Sequence, residues 1–176
     1  FNYGSVELGY VGDTYVEVSA PIGGDVYGGG QGGNVHGSST VVLKDRAQTM
    51  NVYATGNPFT NFWFYGKEYT YGPLPITTSG DATIRIEDSA LVKDTIYGYD
   101  IVTLKGEKGN DLEDHKLLTG NASVLFNHSN SGSSFKRVKN ADFVHLIDTS
   151  AVAIDNDHKD EEQLVNVGDL NIDAYS

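Results

Sequence analysis

The sequence predicts an all-β fold: a parallel, right-handed β-helix or solenoid of about five to six irregular coils with loop insertions. Three observations carry that expectation. Gly is 21 of 176 residues and is spread along the chain, well above the usual share of about 7%. A short apolar–any–apolar pattern returns after Gly at irregular spacing. A second column, Val or Ile followed by Tyr, trails it at a nearly fixed offset.

The first column reads Gly12-Asp13-Thr14-Tyr15-Val16-Glu17-Val18, then Gly37-Ser38-Ser39-Thr40-Val41-Val42-Leu43. It continues as Gly80-Asp81-Ala82-Thr83-Ile84-Arg85-Ile86 and Gly120-Asn121-Ala122-Ser123-Val124-Leu125-Phe126. Asn140-Ala141-Asp142-Phe143-Val144-His145-Leu146 and Gly168-Asp169-Leu170-Asn171-Ile172 are weaker copies. Period-2 alternation bounded by Gly, Asp or Asn marks a strand with one buried face. The inward pairs are then Val16/Val18, Val41/Leu43, Ile84/Ile86, Val124/Phe126 and Val144/Leu146. Glu17, Val42, Arg85, Leu125 and His145 share no chemistry, as an outward row need not.

The second column is Val26-Tyr27, Val52-Tyr53 and Ile96-Tyr97, which follow Gly12, Gly37 and Gly80 by 14, 15 and 16 residues. Asp25, Asn51 and Thr95 mark turns at its start. Gly12 to Gly37 is one bare coil of 25 residues, whereas the next steps of 43 and 40 hold a coil plus an insertion. The chain thus reads as one domain over 1–176, with insertions at 57–76 and 101–118 and an acidic loop at 155–163. Asp160-Glu161-Glu162-Gln163-Leu164 could add a turn or two of helix. An antiparallel β-sandwich is the alternative, but it leaves two columns recurring in register unexplained.

The stretch Val26-Tyr27-Gly28-Gly29-Gly30-Gln31-Gly32-Gly33-Asn34-Val35-His36-Gly37-Ser38-Ser39-Thr40-Val41 resembles the repeat units of secreted or cell-surface bacterial β-solenoid proteins, adhesin-like and mostly uncharacterised. The resemblance covers about sixteen residues of a glycine-rich and therefore permissive pattern. It implies an extracellular or cell-surface bacterial location and a structural or adhesive role, with no catalytic residues to carry over. Phe1 at the start marks a processed form or a piece of a longer protein. Asp88-Ser89-Ala90 and Asp94-Thr95-Ile96 resemble an O-glycan acceptor pattern of some gut bacteria. Ser89, in a turn, is the better acceptor, because Thr95 falls within a strand.

Composition narrows the partners. Twelve basic against 24 acidic residues leave a net charge of −12, unsuited to replacing the counterions of a nucleic acid or to docking on an anionic membrane. No run is long and apolar enough for a membrane span. With no Cys there is neither a disulfide nor a thiolate site. Gly28-Gly29-Gly30 leads into a strand without a following Lys-Ser/Thr, so a phosphate loop is excluded and tight turning through φ > 0 is expected.

The insertion from Asn57 to Pro73 concentrates seven of the 19 aromatics. Exposed, Phe62, Trp63, Phe64, Tyr65, Tyr69 and Tyr71 would stack on sugar rings or a protein partner. Folded over the solenoid, they would bury as a cap against edge pairing. Tyr27, Tyr53 and Tyr97 should stack as a ladder, or alternatively serve as a sugar-binding strip. No cofactor is expected, save that Asp155, Asp157 and Asp160 could hold Ca2+ in a non-standard oxygen site. Lys159 and the missing Gly exclude an EF-hand there.

The reading is a non-catalytic structural or adhesive module whose partners are a glycan, a host or other surface protein, or neighbouring solenoid repeats. A polysaccharide lyase or hydrolase on the same scaffold is one alternative. Such an enzyme would need converging carboxylates, which the outward row of Glu17, Val42, Arg85, Leu125 and His145 does not gather. Glu87, Asp88 and Arg85 could meet Asp45 or Lys44 of the previous coil, as an ordinary cross-strand ion pair rather than a site. A self-assembling fibre subunit is the other.

Overall fold

The structure is a computed structural model that describes residues 8–128 and 135–146, and the backbone of 165–172. The described residues are strands and turns, without helix. The acidic loop at 155–163, the helical turn at 160–164 and the carboxylates Asp155, Asp157 and Asp160 lie outside them.

The repeated apolar pairs fold as the sequence pattern requires. Strands Thr14–Val18, Ser39–Leu43, Ala82–Asp88 and Ala122–His128 stack side by side, every pair parallel. Register places Val16, Val41, Ile84 and Val124 in one inward row, and Val18, Leu43, Ile86 and Phe126 in the next. The second column forms another parallel wall, where Val26 pairs with Val52 and Val52 with Ile96. Together the walls belong to one nine-stranded sheet, joined by parallel pairs alone. The fold is therefore solenoid-like, and an antiparallel sandwich does not describe it.

The inward rows of both walls meet in a single core. Val41, Leu43, Ile84, Ile86, Val52, Ile96, Val124 and Phe126 are all fully buried. Burying each such side chain contributes about 1.5–3 kcal/mol. The outward row is less uniform than expected, since Val42 is buried at 3%. Its parallel neighbours are Glu17 and Arg85.

Two further features escaped the sequence pattern. A third wall stacks Val11, Val35, Thr78 and Leu118, and a corner ladder stacks Pro21, Gln48 and Leu91. Moreover, one strand, Arg137–Leu146, serves both main walls. Its Arg137-Val138-Lys139 segment pairs with Thr95–Tyr97, and its Phe143–Leu146 segment pairs with the strand before it in the first wall. Asn140, at φ 54, stands between the two. Earlier coils travel between these walls by way of the third; here the chain goes directly.

The triple glycine requires a correction. Of the cluster, only Gly32 takes a positive φ. Gly28 and Gly29 are constrained by approach instead. A Cβ on Gly28 would stand 2.3 Å from the Ala54 carbonyl oxygen, and one on Gly29 2.8 Å from the Gly56 backbone. They are small because the next coil passes close by.

Polar turn residues hold the coils in step. The Asp25 carboxylate accepts from both the backbone N–H and the side-chain amide of Asn51, and Asn51 Oδ1 accepts the Thr95 N–H. Asp13 accepts from the Ser38 N–H, and Asp81 from the Asn121 N–H. Each bond satisfies an amide that a turn would otherwise leave unpaired.

Candidate functional site: an exposed aromatic hairpin

The first insertion is an antiparallel hairpin, Thr60–Phe64 against Lys67–Tyr71. It is rooted where the chain leaves the second wall. Pro58 is buried and its carbonyl accepts the Leu74 N–H. Leu74 and Ile76 then pack with Val102 and Leu117 in a small satellite core. The second insertion is likewise a hairpin, Ile101–Lys105 against Asp111–Lys116. A ring nitrogen of its His115 lies 2.7 Å from the Ile76 carbonyl oxygen, tying it to the same core.

The tip of the first hairpin is conformationally unusual. Tyr65 and Gly66 have φ of 49° and 72°, the two positive values of a type I′ turn, where Asn-Gly or Asp-Gly is favoured. A bulky residue in this region costs about 1–2 kcal/mol. Tyr65 is nevertheless there, and 93% exposed. Backbone strain of this kind clusters at functional positions.

Pairing sorts the hairpin's side chains by face. Phe62 faces Tyr69, Phe64 faces Lys67 and Thr60 faces Tyr71, so these six share one face. Trp63 with Glu68 and Asn61 with Thr70 form the other. Phe62 and Tyr69 stack at 5.4 Å, Phe64 meets Tyr65 edge-on at 4.5 Å, and Lys67 Nζ lies 5.3 Å from the Tyr69 ring centre. All six proposed contact rings are exposed, Trp63 at 70%. The alternative in which this insertion folds over the solenoid and buries its rings is therefore not what the described residues show. Both faces present rings to solvent, with a lysine, a glutamate and an asparagine amide within the same two strands.

The tyrosine column does stack. Tyr27 and Tyr53 lie 4.5 Å apart with planes 7° from parallel, and Tyr53 and Tyr97 lie 4.4 Å apart at 1°. Because neighbouring rings cover one another's faces, edges and hydroxyls are what the inner ring offers to solvent. That geometry favours a structural ladder over a strip on which sugars could stack. In register, Lys139 occupies the fourth place, so the column continues there without a Tyr.

Burial raises the Tyr53 phenol well above its ordinary value, with Tyr97 and Tyr27 adding to the effect. Tyr27 is raised too, by burial first and the Asp25 charge second. The unfolded chain releases these protons near pH 10 while the folded chain keeps them. The stabilisation is therefore complete below about pH 10 and is lost as pH rises beyond it. The melting temperature should fall more steeply above about pH 10 in the parent than in Tyr53→Phe. Parallel curves for the two proteins would contradict this assignment.

Lys44 pairs with Glu17 at 2.7 Å, and Arg85 pairs within its own strand with Glu87 at 2.5 Å. Of the possible meetings with Asp45 or Lys44 of the previous coil, the one between Asp88 and Asp45 is made, through the Asp45 backbone N–H. Among the described residues no three His, Asp or Glu side chains are grouped to hold a metal, and no helix is long and apolar enough to cross a membrane. Thr95 is buried, whereas Ser89 is part-exposed in its turn.

Comparison with family models, curated proteins and solved structures returns no match.

Proposed function

We propose that the chain is a non-catalytic structural or adhesive module of a bacterial extracellular or cell-surface protein, a right-handed solenoid of five to six coils. It holds a glycan or a protein partner through the aromatic hairpin. The observation that supports this reading most is the exposure of Trp63 at 70% and Tyr65 at 93% on the hairpin. Large rings left in water mark an interaction surface. A two-residue turn that tolerates Tyr at a position suited to Asn adds to it.

The test compares the parent with a Trp63→Ala, Tyr65→Asn double variant on immobilised glycans and surface proteins. Asn suits the turn, so the hairpin keeps its shape while two rings are lost. Retention of the parent and at least a tenfold loss in the variant is expected, about 1.4 kcal/mol or more. The variant should melt no lower than the parent, because Asn relieves the strain at the turn. Equal retention of both would remove the hairpin from the binding role.

A further inference from the structure

The corner between the first and second walls holds a cleft of about 510 Å³ lined by Pro21, Arg46, Gln48, Ser89 and Leu91. Its shape follows from the stacking of successive coils. Asp45 and Asp88 both turn the chain with positive φ, 53° and 54°. The Asp45 N–H donates to the Asp88 carboxylate, and the Ser89 N–H donates to the Asp45 carbonyl. Two residues after each turn's exit, Gln48 and Leu91 pair in parallel, with Pro21 on the far side of Gln48. Arg46 and Ser89 thus occupy equivalent places on adjacent coils, above a floor of Pro21, Gln48 and Leu91.

The chemistry of this lining is specific. Arg46 is exposed and has no ion pair among the described residues. The Asp88 carboxylate is engaged with the Asp45 amide, and Glu87 is engaged with Arg85. A guanidinium fork beside an amide and a hydroxyl suits a carboxylate with adjacent hydroxyls. Pro21 and Leu91 offer apolar surface for C–H groups. The cleft volume lies in the range of small-molecule sites, roughly 300–1,000 Å³. An extended peptide is less well served, because Gln48 already has a parallel neighbour on each side and leaves no free strand edge to pair with.

We propose that this cleft binds a carboxylated sugar, a single hexuronate residue, whose one negative charge matches the one guanidinium in the lining. Arg46 takes the carboxylate, Gln48 and Ser89 take ring hydroxyls, and Pro21 and Leu91 meet the apolar face of the ring. The site is separate from the aromatic hairpin and does not depend on its role.

Titration calorimetry with a digalacturonate, its neutral counterpart galactobiose, and glutarate as a non-sugar carboxylate tests this. The parent should bind digalacturonate and neither of the others measurably at the same concentrations. Arg46→Gln should weaken digalacturonate binding at least tenfold. Arg46→Lys, which keeps the charge but not the fork, should fall between the two. The Arg46 comparison is repeated in the Trp63→Ala, Tyr65→Asn background, where the same tenfold difference should persist, so that any glycan held by the hairpin does not enter it. Absence of digalacturonate binding to the parent, equal binding by Arg46→Gln, or equal binding of galactobiose would overturn the proposal. Glutarate bound as tightly as digalacturonate would overturn the saccharide assignment. Matching circular dichroism melts for the parent and both Arg46 variants would show that an exposed substitution left the fold intact.

Discussion

Phe126→Ala is expected to destabilise the protein by about 3–5 kcal/mol. Phe126 is fully buried, follows Ile86 in the inward row and precedes Leu146. Its ring also stacks on Phe135 at 5.3 Å. Removing it leaves a ring-sized void between two rungs whose backbones are tied by parallel hydrogen bonds, so the walls cannot collapse to fill it. In a stack where each coil touches its neighbours, the damage should be local. Hydrogen exchange should quicken across Ala122–His128 and Arg137–Leu146 while Ser39–Leu43 keeps its protection. Uniform quickening over all strands would mean that the stack unfolds as a single unit.

Gly98→Ala is expected to cost about 1–3 kcal/mol or more, although it adds a single methyl group. A Cβ there would stand 2.2 Å from the Asn140 carbonyl oxygen and 2.8 Å from the Ala122 Cβ. The oxygen belongs to backbone, at the point where the chain passes directly from the second wall to the first. Relief requires one coil to move away from the next, and the Gly98 N–H to Lys139 carbonyl bond of 2.9 Å opposes that movement. A fall of several degrees in melting temperature is the expected reading. Gly30→Ala is the control, since no atom lies within 4 Å of a Cβ there and its melting should change little. Equal effects at both positions would point to backbone entropy rather than to crowding.

The two main walls were legible because a shared core demands a shared pattern. Val16, Val41, Ile84 and Val124 must all point inward, so alternation recurs wherever the coil returns. Tyr27, Tyr53 and Tyr97 were legible for a related reason, since like rings stack well at strand spacing. The third wall was not legible. Its rungs are two-residue strands, as at Asn34–Val35, or single bridges at Thr78 and Leu118, and one or two residues carry no alternation. Arg137-Val138-Lys139 was missed because Lys replaces Tyr at the outward place, where the core imposes no choice.

The candidate sites divide in the same way. The aromatic hairpin announced itself by composition, but whether its rings were buried or exposed depended on where the hairpin lay. The Arg46 cleft had no signal along the chain. Arg46 and Ser89 are 43 residues apart and become neighbours through the register that pairs Gln48 with Leu91.

By itself the sequence determined the strand class, the inward rows and the recurrence that makes coils stack, because burial of an alternating face is a local property. Only the tertiary structure decided which glycines are needed for close approach, which insertion rings face water and which side chains share a cleft. Those depend on the distance between coils, and sequence spacing blurred by insertions of unequal length does not carry that distance.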